Sequence, residues 1–142
     1  LIEQTEQIAS LNESSVNTLR FMTTLYPDGE AKIIGIFIKI GRSGKCVDNA
    51  GDGGNVDACI DIETGKIIYP IQFDGWRKIK DITYHPDSGN LIDGVVIDNW
   101  ESIKRQVKDY QRSFPFIKAA GCRPCLAAAA GRWCPCHDDE HL

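Results

Sequence analysis

Val16-Asn17-Thr18-Leu19-Arg20-Phe21-Met22-Thr23-Thr24-Leu25-Tyr26, then Pro27-Asp28-Gly29, then Ala31-Lys32-Ile33-Ile34-Gly35-Ile36-Phe37-Ile38-Lys39-Ile40: these residues point to a β-rich chain. Both arms are rich in β-branched and aromatic residues, and Pro-Asp-Gly between them is a turn signal, so residues 16–26 and 31–40 are expected to form an antiparallel hairpin. In the second arm Ile34, Ile36, Ile38 and Ile40 fall on one face, with Ile33, Gly35, Phe37 and Lys39 on the other. Most of both faces is apolar, which predicts a strand with neighbours on both sides.

Outward from this hairpin, residues 41–54 hold five glycines among small and polar residues and read as a loop. Residues 56–62 and 66–71 flank Glu63-Thr64-Gly65 as a second short hairpin, and residues 76–84 are expected to pair with it before a His85-Pro86-Asp87-Ser88-Gly89 turn. One helix is predicted from Asp98, whose carboxylate would cap the first turn while Glu101 completes a capping box. Trp100, Ile103, Val107, Tyr110 and Phe114 form its apolar stripe, Lys104, Arg105, Lys108 and Arg112 lie on other faces, and Pro115 ends it. A single helix over a mainly antiparallel sheet is an α+β arrangement.

With 142 residues, 42% hydrophobic and 25% charged, the chain has the composition of one globular domain. A net charge of -4 in alternating signs argues against nucleic acid and membrane surfaces as partners. Its longest apolar run is too short to span a bilayer and no signal-peptide pattern opens it, so a cytoplasmic location is expected. Leu1-Ile2-Glu3 reads as the end of a strand, which places the start of the chain inside a domain.

Polar residues stand out in two places. Asn17, Thr18 and Arg20 interrupt an apolar strand, either as the polar face of an edge or as groups turned toward a ligand. Arg42, Lys45, Asp48, Asn49, Gly53 and Gly54 share the glycine-rich loop, where backbone N–H groups and a guanidinium could hold phosphate oxygens. A plain hairpin loop is the alternative there, since the spacing matches no phosphate-binding motif. His85 reads as a surface turn residue, Trp76 and Trp100 as core, and Arg77, Lys78 and Lys80 as a solvated face.

The order of these pieces is more specific than any one of them. Ser14-Ser15-Val16-Asn17-Thr18-Leu19-Arg20, the Pro-Asp-Gly turn, Ile40-Gly41-Arg42, Val47-Asp48-Asn49 and Gly53-Gly54 together resemble the sugar-transfer-associated ATP-grasp family. The similarity continues through Asp61-Ile62-Glu63-Thr64-Gly65, His85-Pro86-Asp87-Ser88-Gly89 and the Trp100 helix to Ala120-Gly121. The resemblance implies an antiparallel sheet forming one jaw around ATP and Mg2+, and a carboxylate ligase reaction through an acyl-phosphate. It also implies a link to polysaccharide or peptide modification. It puts Glu3 just after the hinge that holds adenine and ribose, makes Arg20 and Arg42 catalytic residues facing phosphate or the acyl-phosphate, and lines the same nucleotide site with Asn17, Asn49, Gly53 and Gly54. The partners it implies are a nucleotide and a small carboxylate.

Beyond Gly121 the family pattern of Trp-Asp, Gly-Pro-Val-Val and a metal-binding Glu-x-Asn is missing, and so is a lysine-bearing jaw ahead of Leu1. Residues 1–121 are therefore expected to be the C-terminal portion of an ATP-grasp domain. Residues 122–142 are expected to be an anomalous, disordered or frameshifted tail. GC-rich codons for Ala130-Gly131-Arg132-Trp133, read two bases later together with the first two bases of Cys134, can give Gly-Pro-Val-Val. On this reading the isolated chain has little ligase activity and self-associates through an exposed face. The competing reading is a noncatalytic binding module whose Cys122, Cys125, Cys134 and Cys136 hold Zn2+, although the second pair is CxC and the two pairs are closely spaced.

Overall fold

The computed structural model describes residues 4–44, 54–73, 78–122, 124–125 and 134–135. β1 (Thr18–Leu25) and β2 (Ala31–Ile40) form the expected antiparallel hairpin, with Thr18 opposite Lys39 and Leu25 opposite Ala31. From β2 the sheet continues antiparallel through β3 (Val56–Ile60), β4 (Ile67–Phe73) and β5 (Ile79–Asp81). β6 (Ala119–Cys122) and β7 (Pro124–Cys125) pair with the free side of β1, and β8 (Cys134–Pro135) pairs with β7. The order is β5-β4-β3-β2-β1-β7-β8, so β2 is flanked on both sides, as its apolar faces predict.

Two helices occur among the described residues: α1 (Glu6–Ala9), one turn long, and α2 (Trp100–Arg112), which covers the sheet. The fold is α+β. Neither helix is long and apolar enough to cross a membrane.

One expectation about β2 needs correction. Met22 pairs with Gly35 but Thr23 pairs with Ile33, which leaves Ile34 as an extra residue in a β-bulge. The bulge resets the alternation: Ile33 joins Ile36, Ile38 and Ile40 in the core, while Ile34 is 55% exposed. The same buried face takes Leu19, Phe21, Val56, Ala58, Ile60 and Ile67, against which Ile92, Ile97, Trp100 and Val107 pack.

Trp100 is the main anchor of α2. Its indole N–H donates to the Ile62 carbonyl at 2.9 Å and its ring stacks on Phe21 with centroids 5.9 Å apart. Gly65 is required opposite it, because a Cβ there would stand 2.5 Å from the Trp100 ring and the backbone has φ of 73°. The helix begins at Trp100 and lacks the capping box expected at Asp98. Asn99 takes the N-cap position in the left-handed region with no side-chain cap bond, and the Asp98 N–H instead donates to Gln7 Oε1.

The apolar stripe is also altered at its far end. Gln111, not Phe114, is buried, and Phe114 rests edge-on against Tyr110 at 5.0 Å. A helical step of four from Val107 falls on Gln111, whose amide satisfies groups that burial would otherwise orphan. Thr23 Oγ1 donates to Gln111 Oε1 at 2.6 Å, and Gln111 Nε2 donates to the Ile117 carbonyl at 2.7 Å. These bonds tie α2, β1 and the approach to β6 together.

Candidate functional site

Strand alternation sends Leu19, Phe21 and Thr23 into the core and leaves Thr18, Arg20 and Met22 on the opposite face of β1. Cross-strand pairing extends that face. One row runs Thr18, Lys39, Asp57, Ile71, and the next runs Arg20, Phe37, Cys59, Ile68. Arg20 is half-buried in the second row. Its Nε is shielded from water and has no hydrogen-bond partner among the described residues. A sequestered guanidinium N–H without an acceptor is unfavourable, so Arg20 Nε would gain from any acceptor brought within its reach.

At the end of the hairpin the chain enters the glycine-rich loop, and several side chains converge on its described ends. Asn17 is 1% exposed. Both N–H groups of its amide are engaged, with the carbonyls of Ile8 at 3.0 Å and Asn12 at 2.9 Å, and its Oδ1 accepts from the Gly41 N–H at 3.2 Å. The role this geometry shows for Asn17 is to hold α1, the 12–17 segment and the loop entrance together. Gly41 is boxed in, since a Cβ would run into Ser15 Oγ.

Arg42 is paired bidentately with Asp87. Nε donates to Oδ2 and Nη2 to Oδ1, both at 2.7 Å, while Nη1 reaches the Gly54 carbonyl at 3.3 Å. The Ser43 N–H donates to Asp87 Oδ2 at 2.8 Å. Both side chains of the pair are mostly covered, at 24% and 22% exposure. Arg42 holds the Asp87 carboxyl well below the usual range, at about 2, and Asp87 in turn raises the Arg42 guanidinium. Arg42 is thereby largely neutralised by its partner and spans both described ends of the loop.

His85 corrects another expectation. It is buried at 1% exposure rather than lying on the surface of its turn. Its ring Nδ1 accepts from the backbone N–H groups of Asp87 and Ser88, each at 3.3 Å, so the proton resides on Nε2, which donates to the Gly41 carbonyl at 2.9 Å. Burial holds this imidazole below its ordinary pKa, against the opposing pulls of the Gly41 carbonyl and Asp87.

Among the residues singled out from sequence, the structure groups Asn17, Arg42 and Gly54 at the loop base and sets Arg20 apart on the sheet face. Glu3, Asn49 and Gly53 lie outside the described residues, as does Cys136. The backbones of Cys122, Cys125 and Cys134 run in β6, β7 and β8, with Cys125 paired opposite Cys134. No group of three His, Cys, Asp or Glu suited to a metal occurs among the described residues. Asp87 and His85 were not singled out from sequence as site residues, and their only signal there is the motif His85-Pro86-Asp87-Ser88-Gly89.

The model of the sugar-transfer associated ATP-grasp family matches residues 1–131. No curated protein and no solved structure matches the chain.

Proposed function

Because this chain belongs to the sugar-transfer associated ATP-grasp family, we propose that the sheet face around Arg20 binds the phosphate groups of ATP. The reaction in this reading joins a carboxylate to an amine or a related nucleophile. A carboxylate oxygen attacks the γ-phosphorus and ADP leaves; the nucleophile then attacks the acyl carbon of the acyl-phosphate and phosphate leaves. The product belongs to polysaccharide or peptide modification.

Arg20 supplies N–H donors to phosphoryl oxygens where negative charge develops. Glu3 attends the adenine and ribose, and Asn49 with the Gly53-Gly54 backbone lines the phosphate side. Arg42 serves the same site from the loop base, through its bond to the Gly54 carbonyl, while Asp87 balances its charge. No step is assigned to Mg2+, since the described residues offer no cluster of three ligands for it.

Arg20 Nε carries this reading: a cationic donor, out of water and without an acceptor among the described residues, on the face of β1 opposite the core. The test is a titration of arginine-labelled protein with ATP, followed at the Arg20 Nε resonance, with adenosine as the control. ATP is expected to move that resonance and adenosine to leave it unchanged, and Arg20→Ala should weaken ATP binding by about 10- to 100-fold, the range for loss of a charged hydrogen bond. An Arg20 signal indifferent to millimolar ATP removes it from the site. Equal binding of adenosine and ATP removes phosphate recognition.

A further inference from the structure

His85, Asp87 and Arg42 form a chain of contacts in which each member fixes the next. The His85 ring bonds on one side to the Gly41 carbonyl and on the other to the N–H groups of Asp87 and Ser88, so one side chain sets both the loop entrance and the facing turn. That turn presents the Asp87 carboxylate, which fixes the Arg42 guanidinium and the Ser43 N–H. Arg42 then reaches Gly54, at the other described end of the loop. The turn itself is held from behind, with Ser88 Oγ donating to the Leu11 carbonyl.

We propose that His85 is a proton-sensitive latch: neutral, it seats Asp87 and so clamps Arg42 at the base of the glycine-rich loop; protonated, it releases the clamp. The chemical reason lies in the two ring nitrogens. The latch needs Nδ1 as an acceptor for two backbone N–H groups, and a protonated Nδ1 is a donor that points at two other donors. Among the described residues nothing re-accommodates an imidazolium without moving the 85–89 turn. His85 and Asp87 are positioning residues in this scheme, acting through Arg42.

Two charged groups among the described residues act on the ring. Asp87 favours the imidazolium and Arg42 opposes it, while burial opposes it most. The adjoining 12–17 segment turns neutral Asn12, Ser15 and Asn17 inward, and its one carboxylate, Glu13, is exposed. The Asp87 carboxylate titrates at about 2, far below the pH range at issue, so it stays charged throughout. The latch concerns the backbone of residues 41–44 and 85–89 and holds whichever ligand the sheet face carries.

The test is amide hydrogen exchange of the whole chain between pH 7.5 and 5.5, each rate divided by its intrinsic value at that pH. If opening exposes a histidine of ordinary pKa, near 6.5, then below that pH the opening equilibrium at Ser43, Asp87 and Ser88 should rise toward about tenfold per unit. Amides in the centre of β2 should not follow. In His85→Gln the side-chain amide can still bond Gly41 but does not titrate, and the normalised rates should be flat across the range. In Asp87→Asn the His85 contacts remain, so the pH dependence should persist at positions 87 and 88, while Ser43 exchanges faster at every pH. Flat rates in the wild-type chain overturn the proposal. So does an unchanged pH dependence in His85→Gln, which would place the sensor elsewhere. Should His85→Gln fail to fold, the Asp87→Asn comparison still decides, since a latch predicts that Ser43 loses protection while position 88 keeps its pH dependence.

Discussion

Single glycines at two turns differ in what a side chain would meet there. Gly29 and Gly65 both have positive φ, at 85° and 73°, but only Gly65 faces a neighbour, the Trp100 ring. Gly29→Ala is therefore expected to cost about 1 kcal/mol from backbone conformation alone, whereas Gly65→Ala adds the displacement of Trp100 and should cost about 2–4 kcal/mol. Urea unfolding of the two variants side by side checks this, and equal losses would mean that the Trp100 contact carries no weight. The difference was not legible in the sequence, where both glycines follow similar turn signals. Arg20 and Arg42 make the same point for the site. The two arginines look alike in the family pattern, yet Arg42 is paired with a carboxylate 45 positions away while Arg20 Nε lacks a partner among the described residues. Residue type showed that cations were present; their availability depends on what folds against them.

At the scale of elements, β1 to β4 were legible because their side chains alternate and their turns carry Pro-Asp-Gly and Thr-Gly, whereas β6, β7 and β8 carry no such signal. β1 and β2 match the expected segments to within two residues. The bulge at Ile34 was not legible, since a run of isoleucines is equally apolar in either register and only the pairing with Met22 and Thr23 selects one. Gln111 was missed for a related reason: a polar residue on the covered face is acceptable only because Thr23 and Ile117 supply its partners. Gln111→Met keeps the volume and removes those bonds, leaving the Ile117 carbonyl without its donor. A loss of about 1–3 kcal/mol is expected, accompanied by faster amide exchange in β6 with β3 unaffected. If β6 exchanges as in the wild type, Gln111 does not couple the helix to that strand.

For the whole molecule, the loop base makes stability depend on pH in two separate windows. His85 has a folded pKa below its unfolded value near 6.5, so its contribution is complete above that value and is lost as pH falls below it. Asp87 is also depressed, from 3.8 to about 2, so its contribution is present above 3.8 and is lost as pH falls toward 2. Urea midpoints should therefore begin to fall below pH 6.5, and His85→Gln should remove that first decline while leaving the acid limb. A wild-type midpoint constant from pH 7.5 to 5 contradicts the assignment. The α+β class, the antiparallel hairpins, the covering helix and the family follow from the order of residues alone, because local periodicity, turn chemistry and motif order are properties of neighbours along the chain. That Asn17 bonds three segments, that His85 is buried and that Asp87 occupies Arg42 emerge only once the chain is folded. Burial and pairing of polar groups depend on segments tens of residues apart, and a buried donor settles on whichever acceptor the fold brings within reach.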